Sequence, residues 1–579
     1  MKDVPWYLGA MKPRLPATLF RQAPPWLGGL IGLAWFAWVA DLRILHPGNL
    51  EWVLQGEYAM SFLTAAWGRS APWGIPLGQQ TGFIHPVGVT LALADAIPWA
   101  GTLLKALSPW LPQAFQYQGL WLALCFFLQG FFGVKLVEQL TPGRVASIAG
   151  GALFALSPVL VFRFGHLALC GHWLVVAALW LNLRAYPDAS AARRGVTWSG
   201  LMVLLGAGVH PYLATMVLVL SLALVARLWR YERLQTALGA AVSAVLLTSV
   251  MGLTWALLGY LQGGSSQAEG FTDYSANLNS LFNPGSLSRI LPGLHTGPLQ
   301  YEGYGYLGFG VLVLLAWAAA LLYRCREELR RSPWRRFLPL GIVLAAMAVF
   351  SLSSRVRLGT TTVLSFQKLF LVLFAPLSET FRSPGRFIWP LHYALIAAAV
   401  AVVCRFHRSR PTLVAGGLLG ALVLQGIDFR AEQSRPGFKP SYRALASPAW
   451  RAAAAEYAHL VLYPPFISDA VGHGCEDAAF SYPDAVRFGF EAYLRGWTVN
   501  SGFAARLDGE RVRAACADRG LEQGQVADDA IYVLHASKVA SVLERSEGKL
   551  HCGRLDGEVV CVSSLRTSAL REALTHSPL

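Results

Sequence analysis

The sequence predicts a polytopic α-helical membrane protein with about eleven transmembrane helices and a C-terminal soluble α/β or α+β domain. Three observations predict it. Of 579 residues, 54% are hydrophobic and only 14% are charged, with mean hydropathy +0.43, which leaves too little polar surface to cover a soluble fold of this length. Apolar runs of about 20 residues, each able to span roughly 30 Å of hydrocarbon, recur up to residue 427 and then stop. The net charge of +15 is divided among short basic clusters between those runs, a distribution that speaks for membrane topology and against a nucleic-acid surface.

Residues 1–26 form a cytoplasmic segment rich in Pro and Trp, with no small-residue cleavage site after an apolar core, so the first apolar run is read as an uncleaved span. Lys12, Arg14 and Arg21 precede it, and Arg184, Arg193, Arg194, Arg227, Arg230, Arg233, the run Arg324 to Arg336, Arg405, Arg408 and Arg410 flank later spans. The positive-inside rule places all of them in the cytoplasm. Alternating sides then gives a transmembrane domain over 27–427, with spans near 27–45, 115–138, 146–163, 168–186, 197–212, 214–229, 238–260, 306–324, 337–352, 387–404 and 411–427. An odd number leaves 428–579 outside. Residues 87–107 are apolar but contain Asp95 and Pro98, and a crossing there would invert every later loop, so an interfacial or re-entrant helix is expected. Three long outer loops result: 46–114; 261–305, rich in Gly, Pro, Asn and Tyr and expected to hold little helix; and 353–386, with an interfacial amphipathic run, TVLSFQKLFLVLFAPL, before FRSPGRF.

Residues 428–579 mix strand-like runs (HLVLYPPF, AIYVLHAS) with a helix-like one (SPAWRAAAAEYA). In LHCGRLDGEVVCVS, Asp556-Gly557 is a two-residue hairpin turn, and Cys552 and Cys561 are equidistant from it. They form a non-hydrogen-bonded pair, where side chains approach most closely, so a Cys552–Cys561 disulfide is predicted. By elimination Cys475 pairs with Cys516, both bonds suiting an oxidising periplasm; two unpaired core cysteines are the plainer reading. Cys125, Cys170, Cys325 and Cys404 lie in or beside spans and serve as small apolar residues, and no metal-type Cys/His spacing occurs.

The candidate chemistry lies on the outer face. Glu57, in LQGEYAMSFLTAAW, has an apolar setting of Trp52, Tyr58, Phe62 and Trp67 that raises a carboxyl toward a useful base. Asp41, at a span end, is either functional or paired with Arg43; Asp95, in LALADAIPW, either meets substrate or caps the helix before Pro98. FRFGHLALCGHW places Arg163 and His166 on one helical face and His172 near the next span; snorkelling and interfacial hydrogen bonding are their plainer roles. His210 in VHPYL marks a tight outer turn. Arg382 and Arg386 flank a Ser-Pro-Gly turn and offer forks for a phosphate, with phospholipid headgroups as the alternative partner. In YEGYGYLG, Glu302 and Tyr304 suit sugar hydroxyls and stacking, against an aromatic belt. The acidic loops leave room for a divalent cation without specifying one, and no metal ligand set is assigned.

QGEYAMSFLTAAWGRSAPWGIPLG, ADAIPW, SPVLVFRFGHLALCGHW, VHPYL, YSANLNSLFNP, QYEGYGYLG and RSPGRFIWP resemble the successive signatures of a poorly characterised group of bacterial inner-membrane proteins similar to GT-C glycosyltransferases. The resemblance covers about residues 40–430. It implies a GT-C-like membrane domain in the inner (cytoplasmic) membrane, with Glu57 as the first-loop acid, Asp95 as the second, and Arg163, His166, Arg382 and Arg386 on the phosphate side. The expected activity is an inverting transfer, at the periplasmic face, from a polyprenyl-phosphate sugar donor to an envelope glycan, lipid or protein acceptor, with Asp41 or Asp95 as the base if Glu57 is not. The group's signature has Gly-Asp followed four positions later by His, whereas here Gly56-Glu57 is followed by Ser61. A lipid-linked glycan transporter, or a non-catalytic scaffold of an envelope polysaccharide system, therefore stays open.

Overall fold

The computed structural model describes residues 18–262, 269–324, 334–367, 376–431, 442–470, 472–477 and 479–579. Its membrane part is a helical bundle: α1 (Thr18–Val39), α2 (Gly56–Ser70), α3 (Pro98–Ala106), α4 (Gln118–Val137), α5 (Arg144–Ala155), α6 (Pro158–Phe162), α7 (Trp173–Leu183), α8 (Ala189–Ala207), α9 (Pro211–Arg230), α10 (Ala237–Leu258), α11 (Glu269–Asp273), α12 (Phe309–Arg324), α13 (Leu338–Ser351), α14 (Trp389–Phe406) and α15 (Pro411–Asp428). Seven helical segments among the described residues are long and apolar enough to cross a membrane, and three shorter apolar ones stand beside them. The expectation of about eleven spans is thus coarser in the structure. The segment expected at 197–212 belongs to α8, which opens on the polar stretch Ala189–Arg194 and is not among the seven.

Glycine lets the bundle close. A Cβ on Gly130 of α4 would collide with the Gly28 carbonyl oxygen of α1, and one on Gly32 of α1 would meet the Phe126 carbonyl. Small residues at such crossings bring backbones together where lipid offers no hydrophobic drive. The bundle interior around α5 and α7 is packed with Ala, Val and Leu, nearly all buried.

Residues 87–107 hold no helix long enough to cross a membrane. They comprise strand residues Val89–Thr90, a 3-10 turn at Leu91–Leu93 and α3, whose nine residues extend only about 14 Å. Asp95 does not cap α3: the N-cap is Ile97, at φ 47°, and no side chain caps the helix. Between α13 and α14, Thr361–Ser365 is a strand paired with Arg355–Leu358, so the start of the expected amphipathic run is β-structure; residues 368–375 lie outside the described residues.

The C-terminal part carries a five-stranded mixed sheet. In spatial order its strands are Leu550–Leu555, Glu558–Ser563, Ala530–Leu534, His459–Tyr463 and Thr498–Val499. The first three pair antiparallel and the last two join in parallel. Asp556 and Gly557, at φ 51° and 84°, make the hairpin turn, and Cys552 faces Cys561 across it in a disulfide; Cys475 and Cys516 form the second. Only Ala449–Ala452 and a 3-10 turn at Ala453–Ala455 are helical in the run beginning at Ser447.

This domain is not suspended from the bundle by its linker alone. The long segment between α2 and α3 extends its sheet: the Val499 N–H donates to the Gly82 carbonyl at 2.8 Å, and the His85 N–H donates to the Val499 carbonyl at 2.7 Å. Helix α16 (Tyr482–Arg495) packs on α2, with Phe490 against Phe62 and Tyr493 against Trp67, at centroid distances of 5.8 and 6.0 Å. Covered on both sides, α2 is buried throughout from Ala59 to Gly68. Gly130→Ala is expected to cost about 1–3 kcal/mol by overpacking the α1–α4 crossing. Gly416→Ala, where a Cβ meets nothing within 4 Å, serves as the control and should leave the melting temperature in detergent unchanged or slightly raised.

Candidate functional site

A cavity of about 810 Å³ lies where α2, the turn before α3, the α6–α7 connection, the loops before α12 and α14 and the C-terminal domain meet. Gly56 starts α2 at φ +51°, a conformation that favours glycine even though a Cβ there would meet nothing within 4 Å. The turn puts Glu57 in the first turn of the helix, facing the cavity with its side chain 57% exposed.

From Glu57 a line of polar groups runs into the protein. Glu57 Oε2 is 3.2 Å from His166 Nδ1, and His166 Nε2 is 3.7 Å from Glu302 Oε1. Glu302 is clamped from two sides. Arg163 Nη1 donates to Oε2 at 2.7 Å, while Arg386 donates from Nε to Oε2 at 2.8 Å and from Nη2 to Oε1 at 3.0 Å. Arg163 Nη2 also donates to the carbonyls of Tyr301 and Glu302, at 3.0 and 2.8 Å. Burial alone would raise the Glu302 carboxyl, but the two guanidiniums outweigh it and hold it well below the usual carboxylate range. Burial, reinforced by the Arg386 charge, pushes His166 down to about 3, so it is a neutral imidazole. Burial and then the Glu302 charge raise Glu57, making it a stronger base than a free carboxylate.

Asp95 forms a second acidic point. It sits at φ +52°, its Oδ1 is buried without a hydrogen-bond partner, and His210 Nε2 stands 3.9 Å from it. His210 Nδ1 accepts from the Tyr212 N–H at 3.3 Å, capping α9 and leaving Nε2 for the cavity. Burial raises the Asp95 carboxyl to about 7, against the opposing pull of Arg386.

The opposite wall is basic and aromatic. Arg382 stacks over the Tyr274 ring at 4.7 Å, and Tyr301 meets that ring edge-on at 6.2 Å. Arg386 lies over Tyr212 at 4.7 Å. The C-terminal domain closes the cavity with Tyr482, Phe503 and Arg506; the Tyr482 hydroxyl donates to the Gly56 carbonyl at 3.1 Å. Apolar residues, among them Met60, Pro98, Leu169, Trp255 and Leu261, complete the lining; Trp255 lies in the last turn of α10 and Leu261 just after it, and most of α10 is uncovered by protein.

Glu57, Asp95, His166, His210, Glu302, Arg382 and Arg386 thus share one cavity. The other candidates do not line it. Asp41 is bound to Arg43, 2.6 Å away, and caps the 3-10 turn Leu42–Leu45. Arg163 does not snorkel: it is 1% exposed behind Glu302. His172 is fully buried, sharing a hydrogen bond with the Tyr393 hydroxyl at 2.7 Å, because its ring packs on Trp389. Tyr304 stacks on Phe162 at 4.1 Å and donates to the Pro284 carbonyl, so it is core rather than a sugar platform. The four disulfide cysteines lie away from the cavity lining. Arg506 and Tyr482 escape sequence reasoning, since nothing local marks them as partners of Glu379 and Gly56, 127 and 426 residues earlier. Among the described residues no group of three His, Cys, Asp or Glu side chains is arranged to hold a metal ion.

Family models match both parts of the chain. A domain of unknown function, DUF6311, matches residues 29–430, and the DUF6311 C-terminal domain matches residues 449–563. The chain belongs to the DUF6311 family. No curated protein matches it. Neither model describes an activity, so the likeness to GT-C enzymes rests on the residues alone.

Glu302→Gln keeps the shape of the clamp but leaves Arg163 and Arg386 with an uncompensated charge, and should cost about 3–5 kcal/mol, read as a lowered denaturation midpoint. The Asp95 carboxyl ionises in the unfolded chain near its ordinary value of about 4 but only near 7 when folded, so this group weakens folding as pH rises through that interval. Melting curves from pH 4 to 7 should show that decline in wild type and a shallower one in Asp95→Asn.

Proposed function

We propose that this DUF6311 protein is an inverting glycosyltransferase of GT-C type that uses a polyprenyl-phosphate-linked sugar donor at the periplasmic face of the bacterial inner membrane. The observation that carries the reading is Glu57: an accessible carboxylate with a raised pKa and a histidine contact, on the wall of a cavity that also holds the Arg382 guanidinium.

The chemistry follows from that arrangement. Glu57 takes the proton of an acceptor hydroxyl, the freed oxygen pair attacks the anomeric carbon, and the bond from that carbon to the phosphate oxygen breaks. The departing phosphate keeps the bonding pair and is met by arginine charge. His166 orients the base, and its own position depends on the Glu302 clamp. The apolar wall beside α10 suits a prenyl chain arriving from lipid, and the aromatic side chains suit a sugar ring. The side of the membrane is supported by helix direction. α7, α9 and α14 start near the cavity and run to Arg184, Arg230 and Arg405, the clusters that the positive-inside rule assigns to the cytoplasm. The acceptor is an envelope glycan, lipid or protein.

The test is sugar transfer from radiolabelled polyprenyl-phosphate donors by purified protein in lipid with an envelope acceptor fraction. Wild type should transfer, and Glu57→Gln should lose at least about a hundredfold in rate while keeping its melting temperature, as expected for a general base. Equal activity in the two proteins removes Glu57 as the base. Donor binding with no transfer by either protein favours the transporter or scaffold reading.

A further inference from the structure

The basic wall of the cavity contains an imbalance. The charge of Arg386 is consumed by Glu302 through two hydrogen bonds. Arg382 and Arg506 have no such partner: among the described residues no carboxylate comes within ion-pair distance of either. Arg382 makes a ring contact with Tyr274, and Arg506 reaches only to within 3.5 Å of the Glu379 backbone carbonyl. That carbonyl belongs to the segment leading into Arg382, so the two guanidiniums approach one wall from different domains. Both line the cavity. Burial holds the Arg506 guanidinium below its ordinary range against the opposing pull of Tyr212 and Asp469, with the Arg382 charge adding a smaller push in the same direction as burial. The cavity's carboxylates, Glu57, Asp95, Glu302 and Glu379, pair directly with neither guanidinium among the described residues, so the donors of both stay open to an anionic ligand.

We propose that Arg382 and Arg506 form a diphosphate subsite across the domain junction, so that the lipid-linked donor is a prenyl diphosphate and the C-terminal domain supplies half of its anion contacts. This rests on the reading of the cavity as a lipid-linked donor site, and it adds the ligand's charge and the role of the second domain. The argument is one of charge matching. A glycosyl monophosphate diester carries one negative charge, and a glycosyl diphosphate diester carries two. Each guanidinium, not ion-paired among the described residues, offers a planar fork of donors, so two of them match two phosphoryl groups and exceed the need of one. The apolar lining from Trp255 and Leu261 distinguishes a prenyl diphosphate from a soluble diphosphate, which would leave that surface wet.

The test is calorimetric binding of farnesyl diphosphate, farnesyl phosphate and inorganic pyrophosphate to the full chain in lipid nanodiscs. Wild type should bind farnesyl diphosphate about tenfold or more tighter than either other probe, the gain of a second charge-assisted contact. Arg506→Gln and Arg382→Gln should each lose about tenfold for the diphosphate and much less for the monophosphate, while Arg513→Gln, an exposed site off the cavity, changes nothing. Arg506→Lys, which retains charge without the fork, should fall between and guards against misfolding of the glutamine variant. Equal binding of the two prenyl probes, or unchanged diphosphate affinity in a folded Arg506→Gln protein, overturns the subsite. Pyrophosphate binding as tightly as farnesyl diphosphate overturns the lipid part. The transferase reading fails separately: diphosphate binding as described with no sugar transfer removes the transferase and keeps the subsite, whereas transfer from monophosphate donors insensitive to Arg506→Gln does the reverse.

Discussion

The buried Glu302 carboxylate, held between Arg163 and Arg386, is the constraint on which the cavity depends. It joins three segments remote in sequence: the end of α6, the loop before α12 and the start of α14. Taking three ions out of water is costly, and the arrangement stands because nearly every donor finds an acceptor, including the two backbone carbonyls reached by Arg163. The exception is Arg163 Nε, which is buried without a hydrogen-bond partner. The clamp leaves one carboxylate edge toward His166, and through that imidazole it determines where Glu57 stands.

A second constraint is covalently distant but equally physical. Gly82 to His85 act as an extra edge strand on the C-terminal sheet, and α2 is sandwiched between that domain and the loop that follows it. Glu57 at the start of α2 is thereby set by both domains at once. A cavity built this way brings acid groups from the first loop, arginines from the third loop and an arginine from the soluble domain to one space without any of those segments being a regular transmembrane helix.

Much of this was legible in residue patterns, and the limits have physical causes. Hydropathy located the apolar segments, because spanning hydrocarbon demands length and composition that few other structures need. The Asp556-Gly557 turn reported the facing of Cys552 and Cys561, since hairpin register is local. Acids and bases in apolar outer segments marked Glu57, Asp95, His166 and Arg386, though not which were exposed. Arg163 looked like a snorkelling residue because its carboxylate partner lies 139 positions away. His172 and Tyr304 looked interfacial, yet their ring partners draw them into the core. Thr361–Ser365 carries β-branched residues and pairs as a strand where an amphipathic periodicity was also readable. Arg506 carries no local signal at all, since its importance arises only from where the second domain packs.

The most direct test of this account is a structure of the protein in a lipid nanodisc with a non-hydrolysable prenyl-linked sugar. The account predicts the sugar beside Glu57, the phosphate groups against Arg382 and Arg506, and the prenyl chain leaving past Trp255 beside α10. A ligand seated elsewhere on the bundle, with this cavity filled only by water, would contradict it.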